Sequence, residues 1–454
     1  MIAKTLTSPS LQTPPMLSGG LPLLGHAIEF GRNPVVFLTR AREQCGDIFS
    51  FPLLGQQISV FLGPEASEAF FKAPDTQFSS KEAYQLMVPI FGKGIVYDTS
   101  VERMNEQLGF VFPALRDDRM AQYVQIMSEE THRYFSQWSN WGEVDLLTTM
   151  NELTIFIAGR CLIGEEFYAH LTTEFAQLYH DLEGGLNLLS FYWPYLPLPS
   201  FRRRDKARVR MVELISEVIA QRRADRTEST SENFLKVLME AKYSDGTALN
   251  EDSITGLLIT LLFAGQHTSA VLAAWTGLLL AQHRQYIPAI QQELQTIDPY
   301  GFDLTYQGVK SMTRLGNAIR EAARMYPPLI MLMRKVLYDF EYDGYHFPAG
   351  SMAMVSPAVS QRMARVFTDP NRFDPDRYQP GREEHLRSRY AITAFGGGRH
   401  RCIGQGFAYQ QVKIIWAYLL NHFEIELVDP QVKPSYSTLV VGPKQPCRIR
   451  YYRK

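Results

Sequence analysis

Cysteine is scarce, with four in 454 residues, at positions 45, 161, 402 and 447. No CxxC pair or His/Cys cluster exists, which argues against structural zinc and iron–sulfur centres. So few cysteines fit a reducing compartment. Excess charge of one sign is missing too: 46 basic residues face 47 acidic ones. Nucleic acid is therefore not expected as a partner. The first stretch, Met1–Leu24, is broken by Pro14, Pro15, Gly19, Gly20 and Pro22 and starts no signal peptide or apolar span. A soluble, cytoplasmic chain without a transmembrane anchor is expected. Flavin- and nicotinamide-binding fingerprints are absent. No repeat, Ser/Gly tract or charge block marks a linker. With 45% hydrophobic residues, one large domain over residues 1–454 is expected.

What is present concentrates at Phe395-Gly-Gly-Gly-Arg-His-Arg-Cys402-Ile-Gly404. A cysteine ends a glycine-rich basic loop, and an apolar helical pattern follows through Phe407, Ala408, Val412, Ile415 and Leu419. A single cysteine is ordinarily a small buried hydrophobe. Here a helix N-terminus, Arg399, His400 and Arg401 should all lower its pKa and make a thiolate. Such a thiolate serves as a nucleophile or as the axial ligand of an iron, and the loop alone does not choose between them. Its glycines let the backbone pass close to something flat or bulky.

Elsewhere, Asp47–Phe51 and Gln57–Leu62 read as a hairpin around Leu-Leu-Gly-Gln, and helical periodicity dominates from 117 to 245. The aromatic, proline-rich Phe191–Pro199 reads as a loop. Arg202–Arg208 reads as a solvated helix start, or else as a patch for an acidic partner or membrane. Asn250–His283 is the longest helical pattern, about 50 Å at 1.5 Å per residue, so it must be buried along much of its length. Its centre, Ala264-Gly265-Gln266-His267-Thr268-Ser269, suits a buried helix poorly and predicts an opened turn. Glu321 and Arg324, three apart on a helix, can pair. Asp339–Pro357 reads as a hairpin with a Gly344–Gly350 connection, Phe373–Tyr378 as coil, and Phe423–Val428, Leu439–Val441 and Cys447–Tyr452 as strands.

In order and spacing these motifs resemble the heme-thiolate monooxygenases, the cytochrome P-450 superfamily. Phe395, Gly398, His400, Cys402 and Gly404 are similar to the heme-ligand loop. Ala264, Gly265 and Thr268 are similar to the oxygen-activating kink of the long distal helix, and Glu321, Arg324 and Arg377 to the structural ion-pair triad. Two stretches, Tyr84–Asp98 and His267, resemble one branch, the sterol 14α-demethylases. The resemblance implies a mainly α fold with small β-sheets, whose β-rich lobe spans roughly 20–75 and 335–360. The heme would lie between the long helix and the cysteine loop.

The resemblance further implies heme b on Cys402, held also by Tyr84, Arg334, Phe395, His400 and Gly404. O2 would be co-substrate, with electrons from NAD(P)H through a separate ferredoxin or flavodoxin. His267 and Thr268 would deliver protons. Leu86, Met87, Phe91, Tyr97, Phe263, Ala264, Leu329, Met331 and Leu439 would line a sterol pocket. Leu86 stands where phenylalanine goes with substrates bearing one C4 methyl, so 4,4-dimethyl sterols such as lanosterol are expected. One departure is Asn105, neutral where the branch often places a basic residue toward a propionate; Arg103 is the alternative. The rival readings are hydroxylation of another flat terpenoid and a non-catalytic heme sensor or carrier. A metal-free cysteine nucleophile lacks a matching Cys/His/Asn set.

Overall fold

The helix that organises the molecule is Glu251–Gln282, and its ends follow from its sequence. The side chain of Asn250 accepts the Ser253 N–H (2.8 Å) at its start. Glu251 and Asp252 occupy the first turn, where the dipole favours acids. His283 closes it, donating its N–H to Leu279 O. A computed structural model describes residues 12–164, 173–224, 234–299 and 303–454. Within it, 21 of the helix's 32 residues are buried. The helix is long and apolar enough to cross a membrane, yet most of it lies inside the protein.

Leu146–Leu162, Thr313–Met325 and Gln405–His422 pack on this helix, and Asp117–Ser136 packs on the first and last of them, in one large apolar core. Trp416, on the helix after Cys402, donates its Nε1–H to Ala273 O at 2.8 Å. Gly277 makes room for the indole: a Cβ there would lie 1.8 Å from Trp416 Cζ2. That contact fixes the cysteine-bearing helix against the central one.

A five-stranded sheet runs in the order β1 (Ile48–Leu53), β2 (Gln56–Phe61), β8 (Met352–Val355), β5 (Leu332–Val336), β3 (Phe78–Ser79). Only β2 and β8 are parallel among its pairs. Strand β1 runs two residues further than expected and β2 starts one residue earlier, because the turn is only Leu54-Gly55, at φ 48° and 80°, the geometry of a two-residue hairpin. Likewise β6 (Phe340–Tyr342) and β7 (Tyr345–Phe347) turn at Asp343-Gly344, so Tyr345–Phe347 is strand and not connection.

The third sheet is β4 (Trp141–Asp145), β10 (Arg448–Arg453) and β9 (Phe423–Leu427). β4 interrupts the region expected to be helical, because its partner, Ile449 opposite Val144, lies at the far end of the chain. Leu439–Val441 is not a strand. It is a bend held by Val441 N–H on Pro328 O (2.8 Å), without a ladder partner to extend it. Parts of the 117–245 pattern, at 165–172 and 225–233, lie outside the described residues, as do residues 1–11.

Phe191 and Tyr192 close a short helix, Leu188–Tyr192, and Pro199 starts the helix Pro199–Ala224 at its first turn, where proline is tolerated. The arginine run is not simply solvated: Arg204 is fully buried, donating Nη2 to Pro194 O (2.9 Å), and Arg208 is half-buried.

Candidate functional site

The loop before Gln405–His422 closes on itself, since Cys402 N–H donates to Phe395 O (2.8 Å). It is suspended from below by Gln361. The buried Gln361 Oε1 accepts the N–H groups of Thr393 (2.7 Å) and Ala394 (2.8 Å), while Nε2 donates to Arg324 O (2.9 Å). Phe395 packs its ring against Tyr409, centroids 5.3 Å apart. The Cys402 sulfur accepts the backbone N–H groups of Gly404 and Gln405. It stays open to solvent on one side and is crowded by protein on the others. Burial raises the pKa of the free thiol and outweighs the two N–H groups and Arg401, which lower it, the reverse of the direction expected from the helix terminus and its basic neighbours. The helix terminus was legible in the sequence; the desolvation was not.

The middle of the central helix turns one face toward open space. Ala264 is exposed and a Cβ on Gly265 would meet nothing within 4 Å, although the helix is otherwise largely buried. The expected opened turn is absent, for helix continues through Thr268. Thr268 Oγ1 donates to Ala264 O (2.7 Å), the local bond that hydroxyls make in a helix interior. His267 Nε2 sits 2.9 Å from Glu183 Oε1, both partly exposed. Tyr179 donates its hydroxyl to Phe263 O (3.1 Å) and stacks on the Phe263 ring. Glu183 and Tyr179 were missed: they lie some eighty positions away on Thr173–Glu183, and nothing local marks them.

A second acid without a sequence signal, Asp75, gathers the basic groups. It accepts from Arg334 Nη2 (2.7 Å), His400 Nε2 (2.8 Å) and Arg399 Nη1 (3.4 Å). Arg334 also donates to the carbonyls of Phe70 (2.9 Å) and Ala73 (3.0 Å) and to Phe78 O. Its Nε–H alone is buried without a partner. Burial lowers the Arg334 pKa to about 10 and lowers that of His400, aided there by the charge of Arg334. Tyr84 Oη accepts the Met333 N–H (3.2 Å), which leaves its own proton to give. Arg103 pairs with Asp245 (2.7 Å) and Glu106 (3.1 Å); Asn105 is exposed.

Glu321, Arg324 and Arg377 are each 0% exposed. Glu321 binds Arg324 Nε (2.7 Å) and Nη2 (2.8 Å), Arg377 Nε (2.9 Å) and the Tyr378 hydroxyl (3.0 Å). Glu384, unmarked in the sequence, takes Arg377 Nη1 at 2.8 Å.

Among the expected pocket residues, Ala264 is exposed and Met87, Tyr97, Leu329, Met331 and Leu439 are half-buried. Phe91 and Phe263 are nearly enclosed and 6.2 Å apart between ring centroids. Leu86, at 0% exposure, faces no open space. The turn Gln85–Met87 places it in the largest apolar cluster, together with Phe91 and Phe263.

The family model described as Cytochrome P450 matches residues 14–449. A sterol 14-demethylase of Arabidopsis thaliana is 39% identical over 99% of this chain and 93% of its own length. A sterol 14alpha-demethylase of Mycobacterium tuberculosis is 38% identical over 97% of this chain and 98% of its own. The human lanosterol 14-alpha demethylase is 36% identical over 98% and 87%. Among solved structures, a retinoic acid-bound cyanobacterial CYP120A1 superposes with a TM-score of 0.87, at 23% identity, over 98% of this chain and 100% of that one.

Proposed function

This chain belongs to the cytochrome P450 family and is a heme-thiolate monooxygenase, and from that premise we propose that it is a sterol 14α-demethylase. The reaction is three successive O2-dependent oxidations of one methyl carbon, through alcohol and aldehyde. It releases formate and leaves a C14–C15 double bond. What carries this reading is likeness to sterol demethylases at 36–39% identity over almost the whole chain.

The residues present fit heme b. An orphaned, buried Arg334 Nε–H and the free Tyr84 proton suit propionate oxygens, and the sulfur of Cys402 already receives two backbone N–H groups. In this reading Cys402 would ligate the iron, Tyr84 and Arg334 would hold the propionates, His400 would steady that site through Asp75, and Phe395 and Gly404 would shape the loop around the sulfur. When bound, the heme supplies dioxygen activation, for which a thiolate is a strong electron donor.

The chain's own residues manage protons and shape. Thr268 gives its hydroxyl hydrogen to Ala264 O, so its lone pairs face outward as acceptors beside Gly265. Glu183 and His267 Nε2, within hydrogen-bond reach and touched by solvent, pass protons inward. Met87, Phe91, Tyr97, Phe263, Ala264, Leu329, Met331 and Leu439 form an apolar wall for a rigid, nearly apolar sterol. Leu86 sets that wall from behind, and its size favours substrates with two C4 methyls. Electrons come from a separate redox partner of the ferredoxin or flavodoxin type, docked near the exposed Arg399 and Arg401. We place the protein in the cytoplasm, as one domain over residues 1–454.

The test is incubation of reconstituted protein with lanosterol and mass analysis of sterol and formate. A 14-desmethyl Δ14 sterol with formate is expected. A simple hydroxylated product would overturn the reading in favour of another terpenoid hydroxylase. No product with a normal carbon monoxide band would favour a carrier.

A further inference from the structure

Arg208 is a cation with no ion-pair partner among the described residues. It stands on Pro199–Ala224, half-buried, and among the described residues no carboxylate pairs with it. Burial depresses its pKa, against an opposing pull from Asp252. A guanidinium is left in such a place only when neutral acceptors use it. Its Nε–H donates to Ile90 O (3.0 Å) and an Nη2–H to Phe91 O (3.1 Å). Those carbonyls end the short helix Val88–Phe91, where the helix itself offers no donor.

The next residue is built around that fork. Gly92 has φ +110°, and a Cβ on it would lie 2.2 Å from Arg208 Nη2. On the opposite side, Gly256 of the central helix lets the same turn settle. A Cβ there would come within 2.6 Å of Phe91 O and 2.7 Å of Ile95 Cγ1. The turn is thus gripped between a rigid helix and one arginine. The rest of the segment is tied mainly to itself and to its ends. Gln85 Nε2 bridges the carbonyls of Lys81 and Tyr97 (both 2.9 Å), and Gln107 Oε1 takes Val96 N–H (2.7 Å). The Phe91 ring faces Phe263 at 6.2 Å and Tyr97 at 6.1 Å, so a shift of this turn moves the wall.

We propose that Arg208 is a positioning residue, the latch that holds the Tyr84–Asp98 wall closed and sets how fast ligands enter and leave. This rests on the reading of that wall as one side of the sterol pocket above a heme. Releasing two hydrogen bonds to a charged donor should raise the opening equilibrium about tenfold or more.

The experiment follows azole binding by stopped flow through the nitrogen-ligand shift, in wild type, Arg208→Gln, Arg208→Lys and Gly92→Ala. Association and dissociation rates should both rise about tenfold in Arg208→Gln. Gly92→Ala, which evicts the guanidinium, should match it, and the double variant should add nothing more. For sterol turnover KM should move more than kcat. Arg208→Lys keeps the charge and serves if the glutamine variant does not fold. Rates within twofold of wild type in a folded variant, or additive effects in the double variant, overturn the latch. A wild-type protein that gives no nitrogen-ligand shift overturns the heme reading, and the latch with it.

Discussion

Glu321→Gln is the perturbation with the most to say about how the cysteine loop is held. The carboxylate is at 0% exposure and accepts from two guanidiniums, from Tyr378 Oη and from the Asp374 N–H (3.0 Å). Around it, Glu321, Glu384 and Asp374 face Arg324, Arg377 and Arg382. The amide would leave two carboxylates against three guanidiniums and turn an NH2 toward arginine N–H groups. An exposed pair would forfeit about 0.2–1 kcal/mol, whereas breaking a buried one costs about 3–5 kcal/mol. With 454 residues the unfolding entropy is about 1 kcal/mol per K, so Tm should fall by about 3–5 °C. The loss should also reach the sulfur, because Arg324 Nη1 donates to Gln361 O (2.8 Å) and Gln361 carries Thr393 and Ala394. Calorimetry of the purified variant, with heme content read from its Soret band, is the assay. A Tm within 1 °C of wild type together with full heme content would refute the chain of contacts from Glu321 to the loop.

Three further outcomes follow from the same geometry. Glu183→Gln and Thr268→Ala should each lower formate per O2 consumed, with product formation down about 10²-fold; tightly coupled turnover in both would remove the proton route. Lys413, half-buried with Nζ on Val309 O (2.8 Å), has its pKa pushed down to about 8, chiefly by desolvation. Between that value and 10.5 the unfolded chain holds the extra proton, so stability should rise with pH. Against Lys413→Met, wild type should gain on the order of 3 kcal/mol from pH 7 to 10.5, and a flat difference in urea midpoints would contradict this. Gly277→Ala should cost about 1–3 kcal/mol or more by driving a methyl into Trp416, which a denaturation midpoint will show.

Elements were legible where local chemistry was sufficient. Asn250, the acids after it and the long apolar run delimit the central helix almost to the residue. Glycines, basic residues and the apolar pattern after Cys402 mark the loop and its helix. What stayed hidden depends on partners far along the chain. Asp75, Glu183 and Gln361 acquire meaning only when Arg334, His267 and Thr393 are brought to them. Val144 becomes strand only because Ile449 pairs with it. Burial is also a property of the whole fold. It reverses the expected direction of the free Cys402 thiol's pKa and encloses Leu86 completely. The opened turn at Thr268 was inferred from awkward residue types, but a hydroxyl bonded to Ala264 O makes them acceptable inside an unbroken helix.

The charge around Asp75 bears on the neutral Asn105. A buried carboxylate beside a propionate site looks adverse, since like charges repel. Yet Asp75 touches Arg334, Arg399 and His400 at once. With His400 kept toward its neutral form by burial and by Arg334, two guanidiniums against one carboxylate leave the cluster with one net positive charge. Asp75 spends part of the attraction of Arg334, but in return it fixes that side chain with four of its five N–H groups occupied and the remaining Nε–H buried and unused. A donor already desolvated and immobile binds an incoming carboxylate without paying again for rotamer entropy. A flexible lysine on the exposed face at 105 would add charge in solvent, where it is screened. In the proposed heme-bound reading, an ordered cluster centred on Asp75 would therefore hold the group without a basic residue at 105.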